Sequence, residues 1–519
     1  MPNLYLVGMR ICQTFSNRWS NIFIAVLALI LFFSACKRSQ SELGKLAAKT
    51  SGNKVFKEID DETFAQKLKE IREKQSNQFK NPKFLKAFYE KHNHKPVLLT
   101  KLLVDDQLDS VIAVFSGADV HGLNPELFRM VQLKSLYKQL KSKEKVTNVD
   151  EAYAVLGKLE LSLANAITDY SHAMQFGILS PRKIYAQYYT KTARPDEKSF
   201  VNALEAKDVK MFLDSVQPKD QQYIALQQAL KEQRAAASTS GEELERILVV
   251  NLERLRWQNK PVEQKYIWVN IPDFTLDVME KGRSTLRMKV CVGEGRNMDY
   301  KDKLVEYDES GVKKDRPFNR ETPQLNSVIH SVQVNPVWNI PESIASNEIT
   351  KYAAADPYYL ANNNIDVFLG TEKIEDPETI DWSATDAGKK YRFKQRPGED
   401  NSLGKIKFLF NNQSSVYLHD TPNRQVFNQQ VRAVSHGCVR VEKPLDLAKA
   451  LFGDGNTFSG IKKAMQVGQP MAKDIALTRK VPVYLSYVTC WQDALGKLQY
   501  RKDVYGLDIV LYTHLAKLK

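Results

Sequence analysis

The sequence predicts an α+β fold class, in which an all-α region precedes a β-rich region. Apolar residues recur at intervals of three and four between about 54 and 234, for example in Glu151–Gln175, and this spacing predicts amphipathic helices. After Trp257 apolar and polar residues alternate, which predicts strands. The low-complexity run AAASTSG at 235–241 separates the two patterns and marks the main boundary. With 519 residues, 43% of them hydrophobic, the chain is long enough for roughly three folded domains.

The N-terminal segment, residues 1–36, predicts export from the cytoplasm. Ile22–Ala35 follows two arginines and is apolar, but it is too short for a comfortable membrane-spanning helix, so it is typical of a signal peptide. Its end resembles the lipobox of bacterial lipoproteins, with Cys36 as the lipidated residue, although Phe33 departs from the usual leucine. An uncleaved anchor, helped by the two basic residues after Cys36, is the alternative. Both predict a periplasmic chain held at a membrane through a polar tether at 37–53.

The β-rich region begins with a helix and a hairpin. One helix face is predicted by apolar residues just after the boundary: Leu244, Ile247, Leu248 and Leu255. Two alternating runs, 274–278 and 286–290, then predict antiparallel strands, and Glu280–Gly282 supplies the turn between them. Several shorter strands are predicted to follow.

The net charge of +14 raises the question of nucleic-acid binding, because lysine and arginine contact phosphates. The export signal argues against it, and the basic residues are spread among nearly as many acidic ones. We therefore predict no nucleic-acid partner and assign most of the charge to solvated surfaces. A weak attraction to anionic polymers of the cell envelope remains compatible with this balance.

Five cysteines are too few for a disulfide framework in a chain of this length. Two of them belong to the N-terminal segment. Cys291 and Cys490 lie in strand-like runs, where cysteine usually serves as a small buried hydrophobe, although a disulfide between them is an open alternative. Cys438 is left as the candidate for chemistry.

Cys438 stands in the run VSHGCVRV at 434–441, behind His436 and Gly437, and His419 precedes it at the end of an apolar strand-like run. A thiol with a pKa near 8.5 needs a base to act as a nucleophile, and a histidine supplies one. Gly437 permits a sharp turn whose amides could form an oxyanion hole. Zinc ligation is the alternative, but the spacing contains neither CxxC nor HxxxH, so we predict no metal and no cofactor.

The same residues carry a resemblance to a known family. SHGCVRV at 435–441, with LHD at 418–420, resembles the signature of L,D-transpeptidases with a YkuD-type catalytic domain. Further blocks resemble the large periplasmic members of the YcbB type: NLERLRW at 251–257, VNIPDFTLDV at 269–278, NPVWNIPESI at 335–344, RPG and LGKIKF within 396–408, and VPVYLSYVTCW at 481–491. The resemblance implies a helical scaffold domain at 54–241 and a catalytic domain at 242–519, with a capping insertion at about 342–398.

The resemblance also implies an activity, cross-linking of peptidoglycan. Cys438 would attack the third residue of a tetrapeptide donor stem, a diamino acid, and release the terminal D-alanine as a thioester forms. An amine of an acceptor stem would then resolve the thioester. His419 would be the base, oriented by the backbone carbonyl of Asp420, and His436 and Gly437 would shape the pocket.

Other residues are assigned to substrate binding by the resemblance: Arg440, Ser435, Asp420 and Trp338. Each has a plainer alternative, since Arg440 could pair with a nearby acid, Ser435 could serve only the turn, and Trp338 could be a packing aromatic. The family further implies acylation by carbapenem-type inhibitors, and cell-wall synthases are candidate partners.

Two alternatives to cross-linking stay open. Hydrolysis of the same thioester would make the protein an L,D-carboxypeptidase that releases D-alanine, and a chain that retained the fold without activity would be an envelope-binding lipoprotein. One departure from the large relatives is visible, because no small peptidoglycan-binding module fits ahead of the NLERLRW helix. Substrate engagement is therefore expected to depend on the catalytic and scaffold domains alone.

Overall fold

A computed structural model of the chain describes residues 41–236, 241–257, 259, 261–295, 305–307, 313–315 and 320–518. Within them the chain divides into two units. The first comprises residues 41–118, 125–171 and 196–216, and the second comprises 119–124, 172–195 and the described residues from 217 onward. The predictions on residues 1–36, including lipidation of Cys36, lie outside the described residues.

The described part of the chain from residue 41 to residue 256 is helical. Its α-helices are α1 (Glu42–Ser51), α2 (Asp61–Lys74), α3 (Pro82–Lys91), α4 (Leu99–Leu102), α5 (Gln107–Ser116), α6 (Met130–Lys141), α7 (Val149–Phe176), α8 (Pro181–Ile184), α9 (Glu197–Glu205), α10 (Val209–Ser215), α11 (Gln221–Ala235) and α12 (Gly241–Arg256). Several begin at a side chain that caps the free amides of the first turn. Asp60 caps α2, and Asp196 forms a capping box with Ser199 at the start of α9. The predicted helical region is therefore confirmed.

A buried carboxylate organises the first unit. Glu160, in the middle of α7, is fully buried and accepts hydrogen bonds from the amides of Val97, Leu98 and Leu99 at 2.8, 3.0 and 2.8 Å, and from the Tyr89 hydroxyl at 2.9 Å. These amides lie at the start of α4, where no carbonyl of the helix itself is available to them. Burial raises the pKa of Glu160, while the amide donors act to lower it.

Replacing Glu160 by alanine is expected to lower the free energy of unfolding of the first unit by about 4 kcal/mol, because several buried donors lose their acceptor together. Tyr89→Phe is the matched control, since it removes one donor and should cost about 1 kcal/mol. Urea denaturation followed by circular dichroism measures both. Equal losses in the two variants would contradict this account.

In the second unit, α12 packs its predicted apolar face into a cluster with α11. Leu248 is fully buried, and the other three predicted residues lie half-buried against the same cluster. Arg256 at the end of this helix is also fully buried, where it pairs with Glu253 at 2.8 Å and donates to the Tyr223 hydroxyl at 2.8 Å. The buried charge is thus fully partnered, as burial of an ion requires.

The strands follow α12. They are β1 (Lys265–Asn270), β2 (Thr275–Glu280), β3 (Arg283–Gly293), β4 (Val305–Tyr307), β5 (Lys313–Asp315), β6 (Leu325–Val334), β7 (Trp338–Ile340), β8 (Ile365–Leu369), β9 (Glu372–Ile374), β10 (Tyr391–Gln395), β11 (Ile406–Phe410), β12 (Leu418–His419), β13 (Ala433–Ser435), β14 (Val439–Val441), β15 (Lys473–Ser486), β16 (Cys490–Gln492) and β17 (Leu498–Tyr500). The predicted hairpin is confirmed as β2 and β3, with Leu276 opposite Met288. Lys281 and Gly282 both have positive φ, as a tight two-residue hairpin turn requires.

Nine strands form one sheet in the order β13-β3-β14-β12-β11-β6-β15-β1-β2. Because β2 also pairs with β3, the sheet closes on itself into a barrel, and β13 is added beside β3. Alternate side chains fill the interior, and the helices α17 (Pro444–Phe452), α18 (Asn456–Val467) and α19 (Leu507–Ala516) contribute to the same core. The residues that face outward on the barrel are therefore available for a site.

A second, four-stranded sheet, in the order β7-β10-β8-β9, lies within residues 338–395. We call this segment the cap. It has a hydrophobic cluster of its own and short helices: α13 (Glu342–Ile344), α14 (Thr350–Ala355), α15 (Tyr359–Asn362) and α16 (Ala387–Lys390). A single π-helical turn, Ala345–Ile349, lies between α13 and α14. Such turns occur frequently at functional sites.

The helical region and the β-rich region together confirm the predicted fold class. Among the described cysteines, Cys291 and Cys490 are buried free thiols, so the open alternative of a disulfide between them is not realised. No helix in the described part of the chain combines the length and the apolar character needed to cross a membrane.

Candidate functional site

The candidate site lies where β12 and β14 run side by side. Leu418 and Val439 are register partners on these parallel strands, and both are fully buried in the barrel core. Since side chains alternate along a strand, His419 and Arg440 project from the opposite, outer face, where they are also register partners. Cys438 immediately precedes β14 and lies diagonally across from His419. The structure therefore brings the predicted base and nucleophile together on one face.

His419 is held in one orientation. Its Nδ1 lies 2.6 Å from the carbonyl oxygen of Asp420, so this nitrogen carries the proton and donates it, which leaves Nε2 as an acceptor. The side chain is only 4% exposed. Burial, together with the positive charges of Arg440 and Lys407, lowers the pKa of His419 to about 3. The imidazole is therefore neutral over the whole ordinary pH range and able to accept a proton.

The Cys438 thiol is half-buried and protonated at rest. Burial raises the pKa of Cys438. Hydrogen bonds from Tyr417, and separately the positive charges of Arg440 and Lys407, lower it, but they only partly oppose the effect of burial. Tyr417 stands on the same outer face as His419, and their rings lie 5.7 Å apart at 68°. Lys407 is the register partner of His419 on β11, with its ammonium 5.4 Å from the Tyr417 ring. Two cations thus flank a neutral thiol and imidazole.

The turn from Ser435 to Cys438 is shaped by its own hydrogen bonds. The Ser435 hydroxyl donates to the Cys438 carbonyl at 2.6 Å, and Thr322 donates to the Gly437 carbonyl at 2.8 Å. Gly437 has φ of +108°, which a residue with a side chain would rarely adopt. The expected oxyanion hole is partly occupied, because the Gly437 amide donates to the Ser435 hydroxyl at 3.2 Å. Ser435 therefore acts within the turn in this state.

The cap contacts the turn at 435–438 through Glu348, which lies in the π-helical segment Ala345–Ile349. Its carboxylate accepts from His436 Nε2 at 2.7 Å and from Arg320 Nη2 at 2.9 Å. Arg320 also pairs with Glu294, just after β3, at 2.7 Å. The turn is thus tied to the cap through His436, the residue before Gly437, whose ring is fixed by a carboxylate of the cap.

Replacing Glu348 by glutamine is expected to loosen the contact between the cap and His436 by about 1 kcal/mol, the usual worth of a partly exposed charge-assisted contact. Limited proteolysis should therefore cleave the cap about fivefold faster than in the native protein, since the carboxylate no longer ties it to His436. Glu342→Gln is the matched control, because that side chain is exposed at the edge of the cap. Equal rates in all three proteins would contradict the role of Glu348.

The remaining predicted residues lie at varying distances from the thiol. Arg440 is adjacent, and no carboxylate of the described residues forms an ion pair with it. The Asp420 side chain is buried and accepts hydrogen bonds from the backbone amides of Lys405 and Thr421, so it fixes the chain at the end of β12. The backbone carbonyl of the same residue accepts from His419. Trp338 packs against the hydrophobic cluster of the cap. The described residues contain no cluster of histidine, cysteine and carboxylate side chains suited to a metal ion.

The site residues that were not predicted include Tyr417, Lys407 and Glu348. The first could have been found, since it precedes His419 by two residues in a strand-like run and must share its face. Lys407 required the register between β11 and β12. Glu348 lies 88 residues before His436, and no local pattern connects them.

Comparison with known proteins finds two matching family models. Residues 264–455 match the model of the YkuD L,D-transpeptidase catalytic domain, and residues 83–230 match that of a scaffold domain. A protein of Haemophilus influenzae that carries the provisional name L,D-transpeptidase is 29% identical over 326 residues. The alignment covers 63% of this chain and 61% of the relative, so the chain spans about three fifths of the relative's length.

Proposed function

We propose that this chain, which contains a scaffold domain and the YkuD-type catalytic domain of the L,D-transpeptidases, cross-links peptidoglycan stem peptides through a thioester on Cys438. The observation that carries the proposal is the arrangement of His419 and Cys438 on one outer face of adjacent strands, with the histidine neutral and fixed by the Asp420 carbonyl. A thiol beside an oriented neutral base is suited to nucleophilic acyl transfer.

The first half-reaction forms the thioester. Cys438 Sγ bonds to the carbonyl carbon of the third stem residue while its proton passes to His419 Nε2. The tetrahedral oxyanion then collapses, the peptide bond to the terminal D-alanine breaks, and His419 returns the proton to the leaving amine. Because both groups start neutral, proton transfer accompanies bond formation and no preformed thiolate is needed.

The second half-reaction resolves the thioester. An amine of a neighbouring stem attacks the thioester carbonyl, gives its proton to His419, and expels the Cys438 thiolate, which is reprotonated. The net change is one new amide bond and one free D-alanine for each pair of stems. Arg440 and Lys407 supply positive charge beside Cys438, where the carbonyl would react. We therefore assign to them the binding of a carboxylate of the stem and the stabilisation of the developing oxyanion.

The test is an analysis of products by mass spectrometry. The purified protein is incubated with disaccharide tetrapeptide, and the proposal expects a dimer that lacks one D-alanine. Disaccharide tripeptide is the matched control substrate, since it has no D-alanine to release and cannot serve as donor. Dimer from the tripeptide alone would contradict the proposed chemistry.

Two other outcomes distinguish the alternatives. Monomeric tripeptide without dimer would make water the second nucleophile and the protein an L,D-carboxypeptidase. Unchanged tetrapeptide, together with retention on insoluble peptidoglycan, would indicate a binding role without catalysis. The geometry does not favour the binding role, because a binding protein has no need of an oriented base beside a thiol.

The same proposal includes a location in the periplasm, with the chain held at a membrane by a lipid on Cys36 or by an uncleaved anchor. Carbapenems should acylate Cys438 by the first half-reaction, because their strained amide presents an equivalent carbonyl. Cell-wall synthases, which supply new strands, are the class of partner that such an activity would need.

A further inference from the structure

A cavity of about 470 Å³ lies in the second unit, away from Cys438. Its floor is the outer face of β15, β1 and β2, where Tyr484, Trp268 and Asp277 are register neighbours. In the barrel, β3 and β2 separate β1 from β14 in one direction, and β11, β6 and β15 separate it from β12 in the other. The cavity is therefore distinct from the site of the nucleophile.

Aromatic rings dominate the floor of this cavity. Trp268 and Tyr484 stack with centroids 6.2 Å apart at 30°, and Tyr266 meets Tyr484 edge-on at 5.8 Å. Trp268 and Tyr266 are only half-buried, so they keep ring surface available to a ligand. Trp491 forms part of the wall, and the Arg501 guanidinium lies 4.8 Å from its ring and fixes it.

The charged side chains that line the cavity all have partners among the described residues. Arg254 pairs with Asp508 at 2.6 Å, and Arg287 pairs with Asp273 at 2.7 Å. Asp277 accepts from Ser284, and Asp220 caps α11 through the Gln222 amide. Because both arginines are paired with carboxylates and the remaining carboxylates already accept hydrogen bonds, the lining offers little unpaired charge to attract an ionic ligand, and a neutral ligand needs none. The cavity is thus matched to a neutral, hydrogen-bonding molecule with flat apolar faces.

We propose that this cavity binds the glycan strand of peptidoglycan, a neutral chain of N-acetylated hexosamines at this contact. The choice of this glycan rests on the proposed function. Pyranose rings present C–H faces that stack on indole and phenol rings, while hydroxyl and acetamide groups bond to neutral donors such as Tyr266 and Gln324. The volume lies within the roughly 300–1,000 Å³ usual for small-ligand sites, enough for a few sugar units.

A glycan site here would let the catalytic domain bind the glycan strand directly. α11 ends at Ala235 and α12 begins at Gly241, which leaves no space between them for a separate binding module. The barrel would hold one strand at β1 while the stem peptides react at β12 and β14.

Calorimetric titration with chitohexaose, a peptide-free oligomer of N-acetylglucosamine, tests the proposal on the full-length Cys438→Ala protein. Binding should be accompanied by a change in tryptophan fluorescence, since Trp268 and Trp491 line the cavity. Trp268→Ala, added to the same protein, should weaken binding by about tenfold, while Trp268→Phe should retain most of it. Tyr358→Ala is the matched control, because that ring is 61% exposed on the cap.

The outcomes separate this proposal from the proposed function. Trp268→Ala in the otherwise native chain should leave D-alanine release from a sugar-free tetrapeptide unchanged. Absence of chitohexaose binding, or equal binding by Trp268→Ala with unchanged thermal stability, would overturn the glycan site and leave the activity standing. Glycan binding in a protein that releases no D-alanine would leave the site standing and overturn the activity.

Discussion

The Cys438→Ala protein is expected to form no acyl-enzyme and to release D-alanine at least about 10⁴-fold more slowly than the native protein. Cys438 is the nucleophile of the proposed reaction, and loss of a covalent nucleophile removes the whole acyl-transfer route. Intact-mass spectrometry after incubation with a carbapenem, and the rate of D-alanine release from tetrapeptide, measure the two effects.

Cys490→Ala is the matched control for this substitution. Cys490 is a buried free thiol on β16, and its change should leave both the adduct and the rate in place. An adduct of the same mass on Cys438→Ala would show that another residue is acylated and would contradict the assignment.

The second large effect is expected at the base. His419→Gln should slow acylation by about 10²- to 10⁴-fold, because no group then accepts the thiol proton as the carbon–sulfur bond forms. The glutamine side chain is similar in size, so packing beside Tyr417 should be largely retained. Stopped-time intact-mass measurements of carbapenem acylation follow the rate. His330→Gln, on β6, is the matched control.

The pH dependence provides a sharper test of the same residue. The native protein should show no loss of rate near pH 6.5, where an ordinary histidine gains its proton, because the pKa of His419 is lowered to about 3. In His419→Gln only the small ionised fraction of Cys438 can react. Its rate should therefore rise about tenfold for each pH unit up to the raised thiol pKa. A native profile with an acid limb near pH 6.5 would contradict the neutral-base mechanism.

Much of the fold could be predicted because it is encoded in local spacing. The three- and four-residue intervals in 151–175 fix a helix, and the alternation on either side of Lys281 and Gly282 fixes a hairpin, since each period matches only one regular structure. Closure of the barrel could not be predicted, because the pairing of β12 with β14 and of β15 with β1 joins strands far apart in the chain.

The candidate site likewise has residues that could be predicted from local sequence and contacts that could not. Cys438 and His419 stand out because cysteine and histidine are few in this chain and reactive, and Gly437 because it directly precedes the cysteine; the family resemblance assigns roles to all three. The contact of Glu348 with His436 depends on how the cap meets the barrel. Likewise, the engagement of the Gly437 amide by Ser435 depends on the φ of +108° at that glycine. Both contacts depend on the tertiary structure, and no periodic pattern in the sequence predicts them.

The protonated state of Cys438 also bears on how the thiol would survive in the oxidising compartment that we propose for the chain. Peroxides oxidise thiolates, and stray disulfides form by attack of thiolates, so a cysteine with a lowered pKa is damaged fastest. Burial keeps this thiol protonated until a substrate carbonyl is in place beside it. The burial that raises the pKa of Cys438 therefore also protects the thiol from oxidation between turnovers.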